Sequence, residues 1–395
     1  MSKFVGSEGF VQEVIESITS VIGHNSVALH EPEFDGNEWD YVKECIDSNY
    51  VSSVGKFVDK FERDLETYTG AKHAIAVSNG TSALHISLLL AGVERGDEVL
   101  IPSLTFVATA NSVIYCGADP HFVDSEPNSL GIDPEKLRLY LESSTTLIAG
   151  QCRNRISGKV IRAIVPMYTF GHPSRIQELL EICEDFNITM VEDAAESLGS
   201  FYSNRHTGTF GLLGALSFNG NKTITTGGGG AILTNDSNLA TKAKHITTTA
   251  KVPHKWRYIH DAVGFNYRLP NLNAALGCAQ LENIESKISR KRKLFELYLE
   301  EFKNLPGVSL LKEPDDSRSN YWLQAIMLEP KFRSLRNEIL DQTNEVGIST
   351  RPVWDLLTSL EHLKLFPSMD ITQAEEIANS LINLPSSPQL VKVQK

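Results

Sequence analysis

The sequence predicts an α/β protein, with a large, mostly parallel sheet covered by helices on both faces and a smaller C-terminal α/β domain. Three observations carry that expectation. From about residue 70, short apolar runs alternate with helical stretches, the pattern of repeated β–α–β units. A long helical stretch over 271–303 is cut by Leu305-Pro-Gly307, which places a boundary near residue 304. The 395 residues, 41% of them apolar, are enough for a sizeable core and about two domains.

In order along the chain, residues 8–23 carry Phe10, Val11, Val14, Ile15, Ile18, Val21 and Ile22 at helical spacing. That predicts an amphipathic helix packed on the body or on a neighbouring subunit. Residues 1–28 are therefore set apart as an N-terminal helical extension, 29–304 as the large domain and 305–395 as the small one. Two short helices, 39–48 and 56–68, flank the turn-rich Asn49–Gly55. Strands follow at 74–77, 98–101, 121–123, 147–148, 160–165 and 188–191, with helices at 83–90, 108–115 and 174–186 between them. Leu216 and Phe218 alternate with smaller residues as one more strand, and Gly230–Thr234 is the next. In the small domain the expected elements are a strand at 322–327 and helices at 332–346 and 371–383. The basic run Lys287, Arg290, Lys291, Arg292 and Lys293 is expected to be a solvated helix face.

Charge and cysteine content narrow the function. With 37 basic and 49 acidic residues the net charge is −12, which argues against a nucleic-acid surface. An anionic ligand would have to be held locally, by backbone amides and a few side chains. The five cysteines are scattered, with no C-x-x-C pair and no histidine spacing typical of zinc, as fits a cytoplasmic protein without a metal. No apolar run approaches the roughly 18 residues of a membrane span. Glu8, Glu13 and Glu16 are wrong for a signal peptide and weigh against membrane-surface attachment.

Lys222 is the residue most able to do chemistry. It sits on the glycine-rich connection between the strand ending near Phe218 and the strand beginning at Gly230. A lysine held inside a fold can lose its proton and attack a carbonyl to form a Schiff base. An isolated lysine would be an ordinary surface or phosphate-pairing group, and the company it keeps changes that. Ser78-Asn-Gly-Thr-Ser82 joins a strand to a helix, where amides and the helix dipole favour an anion, although the same residues also make a plain helix cap. Asp193 stands just past the carboxyl end of a buried strand, where ligands collect in open α/β sheets, and it too could be a turn cap. Phe106 follows another strand and offers an aromatic face, unless it is core. Pyridoxal phosphate (PLP) needs all these parts together: a lysine, a phosphate cup, a carboxylate for the ring nitrogen and an aromatic face.

At this point the chain resembles the DegT/StrS family of PLP-dependent sugar-nucleotide aminotransferases, from about residue 29 to 390. The motifs that carry the resemblance are Val51-Ser-Ser-Val-Gly55, Ser78-Asn-Gly-Thr-Ser82, Pro102-Ser-Leu-Thr-Phe106, Val191-Glu-Asp-Ala-Ala195, Ser217-Phe-Asn-Gly-Asn-Lys222, Gly264-Phe-Asn-Tyr-Arg268 and Leu384-Pro-Ser-Ser387. The resemblance implies fold type I, like aspartate aminotransferase, as a homodimer with a shared active site. Lys222 would be the Schiff-base lysine and Asp193 the partner of the ring nitrogen. Gly80, Thr81, Ser82 and Ser217 would hold the phosphate, Phe106 would stack on the ring and Glu196 would lie beside its hydroxyl. Asn266 would reach in from the other subunit. His172, Tyr321 and Arg351 are candidate contacts for the sugar nucleotide.

Leu29-His-Glu-Pro32 and the run Phe218–Gly230 resemble the LegC-type branch. That likeness implies amination at C4 of a UDP-linked 4-keto-6-deoxy-N-acetylhexosamine, with glutamate as donor and pyridoxamine phosphate as the alternate cofactor form. The alternatives are a GDP-perosamine synthase-type C4 aminotransferase and, from another class, a non-catalytic PLP-binding regulatory protein. The joint presence of Lys222, Asp193 and Ser217 argues against the last.

Overall fold

The central sheet has seven strands, in the order 73–77, 230–234, 213–217, 189–193, 161–164, 98–102 and 119–123. This is a computed structural model, and it describes residues 7–391. The ends of the expected N-terminal extension (1–6) and of the small domain (392–395) lie outside the described residues. Strand Gly230–Thr234 runs antiparallel to both its neighbours, and the remaining four pairings are parallel. It is buried at every position, so it shows as a continuous run rather than an alternation. Residues 147–148 belong to a separate hairpin, Thr145–Ile148 with Gln151–Asn154, beside the main sheet. Helices Pro134–Ser144 and Ser237–Thr247 were not foreseen. Each is capped by an aspartate, Asp133 and Asp236, whose side chain accepts from first-turn amides.

The smaller sheet is antiparallel, ordered 308–310, 324–328, 381–384 and 351–352. Its face is covered by helix Ser7–Ile22, whose apolar stripe packs on the body of its own chain. Val11, Val14 and Ile18 are fully buried with Leu294, Tyr298, Ile326, Ile339 and Ile382. The expected helix at 371–383 stops at Ser380, and Leu381–Leu384 continues as a central strand of this sheet. A four-residue apolar run fits either state, and pairing with strand 324–328 decides it.

The long helical stretch is two helices, Asn271–Glu282 and Ile284–Phe302, divided at Asn283. The basic run on the second is a correction to the sequence reading, because most of it faces inward. Lys287 and Lys291 are 1% and 0% exposed. Lys287 donates to the carbonyl oxygen of Glu33 at 2.8 Å and to Gln280 Oε1 at 2.9 Å. Lys291 donates to the carbonyls of Trp322 at 3.0 Å and Ser386 at 2.5 Å. Arg290 pairs with Glu33, and Arg292 with Glu313 at 2.6 Å. Only Lys293 of the five is exposed. Burial of so much charge is tolerated because each cation meets an oxygen that replaces water.

Candidate active site

The connections leaving the carboxyl ends of strands 189–193 and 213–217 meet the N-termini of helices Gly80–Leu90 and Val107–Tyr115. The parallel register sets Ala215 beside Asp193, which puts Ser217 one step further out on the same rim. Two glycines let the first of those helices come close. A Cβ on Gly80 would lie 2.9 Å from Ser217 Cβ, and one on Gly230 would lie 2.5 Å from the carbonyl carbon of Asn79. Asn79 caps the helix by accepting from the Ser82 amide at 2.7 Å. The amides of Gly80 and Thr81, in the first turn, have no intrahelical acceptor and are left for an anion.

These elements enclose a cavity of ≈ 320 Å³. Gly80, Thr81, Phe106, Asp193, Glu196, Ser217 and Lys222 all line it. Ser82 does not, since its hydroxyl is turned to Ser78 at 3.2 Å. Asn266 lies exposed beside Thr248, away from this chain's own cavity. A larger cleft of ≈ 620 Å³ bordered by Glu126, Arg175 and Asp315 contains none of these residues.

The cavity's electrostatics are set by burial. Asp193 Oδ2 accepts from Thr109 Oγ1 at 2.8 Å and Oδ1 from the Ala195 amide at 3.2 Å. Burial pushes the Asp193 carboxyl above its ordinary range, while Thr109 and the Ala195 amide pull it back. Glu196 Oε2 accepts from the Phe170 amide at 2.9 Å, and Oε1 lies 3.1 Å from Lys222 Nζ. Burial raises the Glu196 carboxyl to about 7 against the pull of Lys222. The Lys222 side chain is 14% exposed, and its amine stands 3.9 Å from the centre of the Trp322 ring. Trp322 is fixed in turn by its indole N–H, which donates to the carbonyl of Asn221 at 2.6 Å. Phe106, 51% exposed, lies 6.3 Å from Trp354.

Of the three candidate sugar contacts, His172 and Tyr321 are buried and face each other edge-on at 5.2 Å. Tyr321 also stacks on Phe295 at 4.4 Å and accepts from the Glu313 amide at 3.1 Å, so neither residue borders the cavity. Burial lowers the His172 imidazole to about 4. Arg351 borders a neighbouring chamber and donates to Asn344 Oδ1 at 2.6 Å. Sequence reasoning missed Thr109, Trp322 and Trp354. Thr109 alone had a signal, four residues after Thr105, and the two hydroxyls lie 3.0 Å apart.

The residues present fit PLP. The amides and hydroxyls at Gly80, Thr81 and Ser217 suit a phosphate, a buried carboxylate stands ready for the ring nitrogen, and a lysine amine opens onto the same space. The profile of the DegT/DnrJ/EryC1/StrS aminotransferase family matches residues 32–394. The chain is 35% identical over 372 residues to the GDP-perosamine synthase of Caulobacter vibrioides, covering 93% of this chain and 94% of that protein. It is 29% identical over 345 residues to the UDP-4-amino-4,6-dideoxy-N-acetyl-beta-L-altrosamine transaminase of Campylobacter jejuni, covering 86% and 87%. Helicobacter pylori PseC, an aminotransferase involved in the biosynthesis of pseudoaminic acid, superimposes with a TM-score of 0.82 at 28% identity, over 91% of this chain and 94% of that one. With likeness along nearly its whole length, the chain belongs to the DegT/DnrJ/EryC1/StrS aminotransferase family, and its cofactor is pyridoxal 5′-phosphate.

Proposed function

We propose that this enzyme transfers an amino group from glutamate to C4 of a UDP-linked 4-keto-6-deoxy-N-acetylhexosamine, for a legionaminic-type or other cell-surface glycan sugar. The observation that carries aminotransfer is the opening of Lys222 and Asp193 onto one cavity beside a helix N-terminus. Likeness to the Campylobacter jejuni transaminase supports the UDP-linked amino sugar. A second reading, a GDP-linked 4-keto-6-deoxymannose, is favoured by the higher identity to GDP-perosamine synthase.

Bound PLP supplies a ring that draws electrons from the Cα of an amine joined to it. Asp193, held by Thr109 and the Ala195 amide, keeps a proton on the ring nitrogen. Lys222 would hold the cofactor and, once freed, would carry the proton between the donor's Cα and the cofactor carbon. Glu196 lies 3.1 Å from the Lys222 amine, and burial raises its carboxyl to about 7. Trp322 stands beside the amine, and Trp354 lines the same cavity. Asn266, exposed on its own subunit, serves the partner's cavity in a homodimer that works in the cytoplasm.

The test is to offer the purified holoenzyme glutamate with each ketosugar in turn. Aminosugar from the UDP-linked substrate is the expected result. Product from the GDP-linked sugar alone would install the second reading, and a cofactor spectrum that never responds to glutamate would revive a non-catalytic role.

A further inference from the structure

Trp322 touches Lys222 at both ends of that residue. Its indole N–H donates to the carbonyl of Asn221 at 2.6 Å, the peptide oxygen at the root of the lysine. Its ring meets the lysine's tip, with Nζ 3.9 Å from the ring centre. The indole has little freedom, being 4% exposed and tied through its own main chain on both sides. The Trp322 amide donates to Asn320 Oδ1 at 2.8 Å, and its carbonyl accepts from Lys291 Nζ at 3.0 Å. The Asn320 side chain in turn donates to the carbonyls of Glu196 at 2.8 Å and Leu198 at 2.9 Å. One side-chain amide therefore joins the indole to the segment that carries Glu196. Tyr321, between Asn320 and Trp322, sits at φ = 47°, a strained backbone for a bulky residue, and stacks on Phe295 while its neighbour meets the lysine.

A lysine that carries a proton spends part of each cycle free of the cofactor, as an ammonium on a flexible four-carbon stem. Unrestrained, that stem spreads over its rotamers and the charge seeks water. Two groups answer the charge here, the Glu196 carboxylate at 3.1 Å and the electron-rich face of the indole. Of the two, the indole also holds the main chain from which the stem springs. Asp193 and His30 are the other titratable groups that feel the lysine's charge.

We propose that Trp322 is a positioning residue for the proton transfer, a clamp that grips the freed Lys222 at root and tip and keeps its ammonium in the cavity until the proton is given up. The inference rests on the reading that Lys222 carries the proton, and deepens it by naming what holds the lysine while it does so.

The test separates the two grips by placing tryptophan analogues of nearly the same outline at position 322 alone. Fluorinated tryptophans drain the ring face and keep the N–H, whereas benzothienylalanine keeps the face and has no N–H. In cofactor-free protein, acetylation of Lys222 is followed against pH by peptide mass mapping. In holoenzyme, the glutamate half-reaction is followed by cofactor absorbance. Increasing fluorination is expected to move the midpoint of the acetylation profile down by about 0.4 to 1.5 pH units in all, because the ammonium loses a partner. Over the same series the maximal rate of the half-reaction should fall by roughly 3- to 30-fold, with the half-saturating glutamate concentration unchanged. Benzothienylalanine should leave the acetylation midpoint in place and slow the half-reaction by roughly 3- to 10-fold. Trp322→Phe, which keeps a face, should retain more activity than Trp322→Leu.

A midpoint and a rate that both ignore fluorination overturn the proposal, since a ring that only fills space keeps its shape throughout the series. A half-reaction untouched by benzothienylalanine removes the grip at the root, and with it the clamp. If Lys222→Ala turns over at the wild-type rate, the reading that this lysine carries the proton fails instead. The acetylation profile of the cofactor-free protein then still decides whether the indole holds the ammonium.

Discussion

Lys222 and Glu196 form a close pair in which burial raises the carboxyl. Replacing Lys222 with alanine is expected to leave the fold intact and cut transamination by at least about a thousandfold, because the group that moves the proton is gone. Undiminished turnover would show that another base serves. Glu196 carries a pH consequence whose sign is fixed. Its folded value of about 7 lies above the ordinary 4.5, so the folded state holds the proton more tightly than the unfolded chain does. Stability from this group is complete below pH 4.5 and is lost as pH rises through about 7, by at most about 3 kcal/mol. Glu196→Gln, which keeps the shape without the titration, should flatten the fall in denaturation midpoint of cofactor-free protein between pH 5 and 8. An unchanged slope would mean that Lys222 already compensates the charge. That Lys222, Asp193, Phe106 and Ser217 would border one space was legible in the sequence, because each lies at or just past a strand end in a recognisable motif. His172 and Tyr321 were misleading, since an aromatic or imidazole ring looks the same in sequence whether it lines a cavity or fills a core.

Helix Ile284–Phe302 shows how an element can look like one thing and be another. Its basic run resembles a solvated face because nothing local to it announces the oxygens it meets. Those oxygens belong to Glu33, Gln280, Glu313, Trp322 and Ser386, and the tertiary fold brings them there. Lys291 ties this helix to the residue standing over the catalytic amine. Lys291→Met should leave the carbonyls of Trp322 and Ser386 unpaired in the interior and cost about 1–3 kcal/mol. The denaturation midpoint measures that loss, and a variant as stable as wild type would show that water replaces the ammonium. The break at Asn283 and the strand at 381–384 were invisible for a related reason. Helical periodicity passes through both, and what ends each helix is the neighbour it packs against.

At the scale of the molecule, the parallel core was legible from the spacing of its apolar runs, whereas the direction of strand 230–234 was not. An antiparallel strand buried on both faces has the same composition as a parallel one. The assembly is expected to be a homodimer, because Phe34, Trp39, Ile46, Tyr50 and Val54 leave large apolar side chains exposed on and around helix Glu38–Asp47. Light scattering should give twice the 43.7 kDa chain mass. If Asn266 serves the partner's cavity, Asn266→Ala and Lys222→Ala are each inactive alone. Mixed under conditions that exchange subunits, they should recover about a quarter of wild-type activity, since half the dimers then carry one intact site. No recovery would place Asn266 outside the shared site.

The four indoles of this chain fall into two pairs, Trp39 and Trp256 at 77% and 76% exposure and Trp322 and Trp354 in the wall beside Lys222. The inner pair is close enough to hand its excitation to a bound pyridine ring, while Trp256, which lies outside the apolar surface around helix Glu38–Asp47, keeps emitting at the longer wavelength of wetted indole. The emission colour of the unlabelled protein therefore becomes a gauge of cofactor loading.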